Sequence, residues 1–597
     1  MAKALQYPEG IIDFEILING TKIKDTIEVK ELLIEMEVNR ITSAMIVVHD
    51  GGADGSENES YINSEGSDFI PGNEIEIRLG YNNKKEEVFK GLIISQQLKV
   101  KGYKSQLTVL CKDKAVKMTK GRHNAVFQNI IDSDALKSIV KNYGLKLEID
   151  ATTVSHPVLM QYNCSDWDYL VIRAEANNML VTTYQNKLSV KKIDFNTTPE
   201  LEINATQFII DIDLRLQSEN LSEAYNMSAW NPDTQQEIKS THLIEDSLNQ
   251  GNLNAKKLSA VLSNTSNSYS STSLDTDEMK VWLASRANSA ILEKIQGKIT
   301  VLGTTKVIPG NIIKLSGFSA RFNGNAFISK VTHSLQDGEW LTELYVGRSA
   351  KLHAALNDVE DLGASGLSPA LRGTQIATVK QIHEDPSNKY RILVSLPISN
   401  GNGEDLAIWA RISVPYASAD AGLFFFPEVG DEVLLTFMNN DPRFPVIIGS
   451  LYSAKNKPKE TPDEKNQFKS IYSKSGIHIT FDDEDKILTI ETPEKNTIVF
   501  DDKNKSINIT DVNENTLVMD ESGITMNSSK DINLNADGNI NLIAKSNLAM
   551  KAMADVTLDG LNIKQSAQTS FTAKANASAE LSASGQTTVK GAMVMIN

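Results

Sequence analysis

Ten apolar residues late in this chain keep an eight-residue rhythm: Ile524, Ile532, Ile540, Leu548 and Val556, followed two positions later by Met526, Leu534, Leu542, Met550 and Leu558. The residues inside these pairs are Thr525, Asn533, Asn541, Ala549 and Thr557, so apolar side chains alternate with small or polar ones as on a strand with one buried face. At 41% hydrophobic content, ten designated positions are all apolar about once in ten thousand random draws, and freedom of frame weakens that roughly a hundredfold. The rhythm outlasts the discount. A strand-turn unit this short cannot close a core within one chain, so the fold it implies takes its other walls from elsewhere.

A lone solenoid of such turns is too slender for side chains to fill, whereas three chains wound together make a triangular prism whose inward residues meet on the axis. The expectation is an intertwined homotrimeric β-helix needle over residues 471–597, with the ten spaced residues as its core; a single-chain parallel β-helix or adhesin-like stalk is the alternative on repeat length. Burying each Ile, Leu or Met contributes roughly 1.5–3 kcal/mol before ordering entropy is subtracted. Looser pairs precede the octads, at Ile477/Ile479/Phe481, Ile498/Phe500, Ile507/Ile509 and Leu517/Met519. Ser522-Gly523, Asp537-Gly538 and Asp559-Gly560 supply turns tolerant of positive φ. Beyond Asp559 the large apolar residues thin to Ile563, Phe571, Leu581 and Val589. The apolar stretch Met593, Val594, Met595 and Ile596, with Asn597, reads either as a plateau on which a separate cap docks or as side chains closing the core.

Upstream, 597 residues allow about four domains. Residues 1–350 read as a β-barrel or sandwich region turning mixed α/β. Strand-like runs such as Glu74–Leu79 follow the turn Pro71-Gly72-Asn73, and Asp50 to Asp68 is a polar loop. Helices are expected over Asp134–Tyr143, stopped by Gly144, and over Thr276–Gln296, stopped by Gly297. Residues 351–372 form a connector without β period. Residues 373–454 carry about five strand-like runs, a small barrel of the OB type, and 455–470 is a charged linker. The fold class is mainly β with some α.

Several chemistries find no support in the sequence. The formal charge is −16, from 60 basic and 76 acidic residues, and no basic run marks a nucleic-acid footprint. No apolar run reaches membrane-spanning length and Met1 to Gly10 lacks a signal-peptide h-region, so synthesis in the cytoplasm without an anchor is expected. Two cysteines, Cys111 and Cys164, make no disulfide framework and are expected as free buried thiols. The histidines at 49, 123, 156, 242, 333, 353, 383 and 478 keep no metal-ligand spacing. P-loop, dinucleotide and Gly-x-Ser-x-Gly patterns are lacking. No catalytic residue, metal or cofactor is assigned. His478, between Ile477 and Ile479, reads as a plain strand histidine, and Asp482-Asp483-Glu484-Asp485 as a hairpin turn.

Three stretches carry a resemblance. They are Pro415-Tyr416-Ala417 with Ala421 to Val433 and Asp441 to Tyr452; Ser165 to Leu170 with Arg173 to Asn178; and Phe322 to Ile328. The run Phe426-Pro427-Glu428-Val429-Gly430-Asp431-Glu432-Val433 is the most specific. The chain resembles VgrG, the spike of type VI secretion, over essentially its whole length. The resemblance implies a non-enzymatic structural spike, made of a phage-tail-hub-like N-terminal part, an OB domain and a trimeric needle. Its implied partners are a PAAR-repeat cap at the tip, an Hcp-like tube ring at the wide end, baseplate proteins, effector cargo and, transiently, a target membrane. It equally implies the related extracellular contractile injection particles, released rather than cell-anchored, and in either case expulsion when a sheath contracts. Because the needle is followed by no further sequence, an attached toxin domain is not expected. The rival class is a trimeric tailspike-type enzyme cutting surface polysaccharide with paired carboxylates, and the clean octads hold no inward-facing acids.

Overall fold

The computed structural model describes residues 3–6, 8–52, 61–101, 104–207, 209–399 and 405–596. Residues 53–60 of the expected Asp50–Asp68 loop, and Asn597 of the expected tip, lie outside the described residues. The chain divides into two units, Met1–Leu451 and Tyr452–Asn597.

Alternation builds the first unit. In Glu74–Tyr81, Ile75, Ile77 and Leu79 are buried while Glu76 and Arg78 face outward and pair with each other. Such strands assemble a 14-stranded sheet. Its main path runs from Lys3–Ala4 through Leu201–Asn204, Ile312–Ser316, Gly324–Gln336, Val29–Glu37, Ser43–Gly52, Lys104–Lys112, Lys84–Lys101, Glu74–Tyr81 and Ile12–Ile18 to Thr21–Lys22. A branch leaves Gly324–Gln336 through Glu339–Val346 and Ile295–Leu302 to Asp211–Leu216. One large core of Ile, Leu, Val and Phe fills it, with Cys111 inside. Cys111 and Cys164 are free; burial pushes the Cys111 thiol far up.

Two helices, Asp132–Val140 and Asp166–Ala176, pack on the small sheet Lys146–Ile149, Lys187–Lys192 and Met179–Tyr184. Gly144 stops the first at φ 64 after a 3-10 turn, as expected. Ser165 caps the second, its hydroxyl accepting from the Asp168 N–H at 3.1 Å. A third helix, Thr276–Glu293, buries Leu283, Ala287 and Ile291 in a further core.

That third helix ends before the expected Gln296, because Ile295–Leu302 is a strand held between Asp211–Leu216 and Glu339–Val346. Gly297 is therefore a strand residue, not a helix stop. A Cβ there would meet the Asp213 carbonyl oxygen at 1.9 Å, so close backbone approach explains the glycine.

The segment after the sheet is fastened to the helices. Glu175 Oε1 accepts from Asn39 Nδ2 and Arg348 Nη2, each at 2.8 Å, and its Oε2 accepts from the His353 N–H at 2.8 Å. His353 Nε2 also stands 2.9 Å from Asp168 Oδ1. Beyond it, five strands close a barrel in the order Gln375–Gln381, Ile392–Ser399, Asp405–Ile412, Pro445–Ser450, Glu432–Phe437. All neighbours are antiparallel except Asp405–Ile412 with Pro445–Ser450. This is the five-stranded OB architecture, filled by Val379, Ile392, Val394, Val433, Leu435 and Ile447. No helix among the described residues is long and apolar enough to cross a membrane.

Candidate functional site: the C-terminal strand ladder

The second unit opens with seven antiparallel strands in chain order, each paired to the next. They are Phe468–Tyr472, His478–Asp482, Ile487–Glu491, Thr497–Asp501, Ser506–Thr510, Thr516–Asp520 and Gly523–Asn527. The ladder starts at Phe468 rather than at Ile471, because Phe468 is already in register with Asp482. The acidic run after Phe481 is the expected hairpin turn, and Asp482 Oδ1 accepts from the Glu484 and Asp485 N–H groups, each at 3.1 Å. His478 lies on a strand with its ring stacked on Tyr472, centroids 4.4 Å apart. Among the described residues, no group of three or more His, Cys, Asp or Glu could hold a metal ion.

Register turns the sequence alternation into two apolar columns on one face. The first runs Ile471, Ile479, Ile490, Ile498, Ile509, Leu517, Met526; the second runs Phe481, Leu488, Phe500, Ile507, Met519, Ile524. Between them, on the opposite face, lie Ser470, Thr480, Thr489, Val499, Asn508, Val518 and Thr525. The columns end on Met526 and Ile524, the first pair of the octad repeat.

The turns differ from expectation. Of the three glycines expected to turn the chain, only Gly523 takes positive φ, at 126°; Gly538 and Gly560 do not. Gly476, at φ 92°, turns the first hairpin of the ladder, and the four middle reversals fall on Lys486, Lys495, Lys505 and Glu514, at φ 56, 69, 53 and 64°. Acid and hydroxyl side chains hold these loops. The Asn504 N–H donates to Asp501 Oδ1 and the Asn515 N–H to Asp511 Oδ1, both at 2.8 Å, as does the Ser522 N–H to Asp520 Oδ1.

These three carboxyls are held below the usual range: Asp501 by the backbone and side chain of Asn504, Asp511 by the side chain and backbone of Asn515, Asp520 by the hydroxyl and backbone of Ser522. A depressed carboxylate stabilises the fold above its unfolded pKa, here near 3.8, and that contribution is lost as pH falls through the lower folded value. Protection of the ladder amides is therefore expected to be level from pH 7 to about 5 and to fall below about 4, measured by hydrogen exchange across Thr497–Asn527.

Past the ladder the expected strands are not paired within the chain. No residue from Ser528 to Ile596 belongs to a strand, and no hydrogen bond joins any described residue from Asp531 to Ile596. From Asp531 to Ile596 the backbone groups thus find no partner in their own chain. The ten octad residues stand between 51% and 71% exposed. Met593, Val594, Met595 and Ile596 are exposed as well. Sequence reading passed over Ile487–Glu491, whose Leu488 and Ile490 complete both columns; the same alternation marks it.

The family described as Alg8 N-terminal domain matches residues 8–337, more than half of the 597. The chain belongs to this family. The barrel matches a second family, the type VI secretion system/phage-baseplate injector OB domain, over residues 375–452. Curated relatives of this Alg8-family chain include the type VI secretion system spike protein VgrG2a of Pseudomonas aeruginosa, 28% identical over 27% of this chain and 20% of that protein. The actin cross-linking toxin VgrG1 of Vibrio cholerae is 35% identical over 17% of this chain and 10% of that protein. The chain thus spans about a fifth or less of the length of these relatives, and the VgrG resemblance holds. Among solved structures, the 43 kDa tail protein of prophage MuSo2 from Shewanella oneidensis has a TM-score of 0.45 at 12% identity, covering 57% of this chain and all but 1% of its own, 99%. The Escherichia coli type VI secretion component c3393 has a TM-score of 0.38 at 12% identity, over 73% of this chain and 100% of its own.

Proposed function

We propose that the chain is the central spike of a contractile injection apparatus, a non-enzymatic hub and needle of three intertwined copies. One observation carries this reading. Two apolar columns run down the ladder without being fully buried, the octads that continue them from Ile532 onward make no in-chain hydrogen bonds, and a barrel matching the injector OB family precedes them in sequence. Three chains give that stretch its missing walls and backbone partners. The first unit then seats on an Hcp-like ring of the inner tube among baseplate proteins. Met593 to Asn597 present an apolar plateau to a PAAR-repeat cap. Sheath contraction drives spike, cap and effector cargo out of the producing bacterium and across a target membrane, without nucleic acid. Cell-anchored secretion and a released extracellular particle use the same geometry; fractionation of producing cells separates them.

The role is tested by inactivating the gene in the producing bacterium. Tube protein is expected to stop reaching the medium or target cells, and the intact gene but not Ile540→Asp restores it. Unchanged export refutes the spike role, and catalytic cleavage of surface glycans by the purified chain replaces it with the tailspike reading. Deleting Met593 to Asn597 is expected to abolish pull-down of a PAAR-type cap while leaving the three-chain mass intact; cap binding at full strength refutes the tip assignment.

A further inference from the structure

The barrel exposes two unlike apolar patches. The first is a loop, in which Ala417–Ser418 and Ala421–Gly422 pair as a short hairpin and the Leu423 N–H donates to the Tyr416 carbonyl oxygen at 2.9 Å. Phe426 anchors the loop on the barrel core and stacks with Phe424, ring centroids 4.5 Å apart. Tyr416, Leu423, Phe424 and Phe425 are left 45% to 77% exposed, and from Pro415 to Pro427 the sequence holds one charged residue, Asp420. The second patch lies on the outer wall. The alternation that buries Val433, Leu435 and Ile447 turns Leu434 and Ile448 outward, and Ile376 stands beside Leu434 in register. Ile376 and Ile448 are 45% and 46% exposed. Apolar side chains clustered in this way mark a contact, unlike the single ones that any protein surface shows.

The three-copy reading supplies the occupant. Residues 451–467 join the barrel to the first ladder strand, at most about 60 Å of chain, so in a three-chain spike each barrel is tethered within reach of two others. A ring of three closes through unlike patches meeting head to tail, not through one patch meeting itself, and this barrel carries one of each kind. Copies with a net charge of −16 repel one another, which favours contact through surfaces poor in charge. We infer that the loop Tyr416–Phe425 of one copy docks on the wall formed by Ile376, Leu434 and Ile448 of the next, closing a collar of three barrels. This contact rests on the three-copy reading and adds to it an interface separate from the needle.

The test puts the photoreactive residue p-benzoylphenylalanine in place of Phe424 in the full chain. Irradiation is expected to give a covalent two-chain species under denaturing conditions, its cross-linked peptides drawn from Gln375–Gln381, Glu432–Phe437 or Pro445–Ser450. Ile376→Asp, and separately Ile448→Asp, are expected to lower its yield about tenfold or more, since each puts a carboxylate into the apolar contact. Sedimentation and the amide protection of Ile392–Ser399 are expected to stay unchanged in both, because the needle still holds three copies and the substituted side chains face outward. A three-chain mass without the cross-link, a cross-link mapping elsewhere in the chain, or a yield unchanged by both substitutions overturns this contact alone. A single-chain mass removes the three-copy reading, and the contact with it.

Discussion

Ile540→Asp is expected to break the three-chain assembly. Ile540 lies in the middle of the octad series, and in a three-fold prism its three copies face the axis together. Removing the side chain forfeits roughly 1.5–3 kcal/mol of burial in each copy. Placing three carboxylates in an apolar interior adds several kcal/mol for each ion. The combined penalty is on the order of 10 kcal/mol or more per trimer, large against the 5–15 kcal/mol that typically separates folded from unfolded chains. The comparison variant is Asn541→Asp, next in sequence and on the opposite face, which is expected to change little. Sedimentation of the two variants side by side checks the register. Equal trimer content in both would place Ile540 outside the core.

The second large effect lies in the first unit. Lys294 and Asp246 form an ion pair with side chains 1% and 3% exposed, and Lys294 Nζ also donates to the Gln250 carbonyl at 2.9 Å. Asp246 Oδ2 accepts in addition from the Ala255 N–H at 2.9 Å. The pair thus ties the end of the helix Thr276–Glu293 to the segment between residues 246 and 255. Lys294→Ala leaves a buried carboxylate without its cation, and the expected loss is about 3–5 kcal/mol. Lys294→Met with Asp246→Asn keeps the amide–carboxamide bond and the packing, and is expected to recover most of it. Guanidinium unfolding followed by tryptophan fluorescence separates the two. A single variant as stable as the unchanged chain would show that the pair is not what holds this segment.

What could be read from sequence follows what is local. Alternation over Ile498/Phe500, Ile507/Ile509 and Leu517/Met519 is a short-range signal, and it yields strands whose register then aligns both apolar columns. The Phe426 to Val433 run lies in and before the barrel strand Glu432–Phe437, and the VgrG resemblance it carries agrees with the barrel observed. Non-local constraints left weaker traces. Gly297 looks like a helix stop until Asp213 is brought beside it. The reversals at Lys486, Lys495, Lys505 and Glu514 lack the glycine that marks a left-handed residue, since the preceding Asp and Thr side chains hold the loops instead. The partnership of Lys294 with Asp246, 48 residues apart, exists only once helices and sheet have packed. The octads are the opposite case: their sequence pattern is plain, and a single chain does not complete it.

In the proposed spike the octad stretch is one third of a structure. Sedimentation equilibrium of the intact chain at micromolar concentration decides between one copy and three. The expected mass is three times 65.7 kDa, independent of further dilution over the measurable range. A stable species of 65.7 kDa, with the octad residues still ordered, would contradict it.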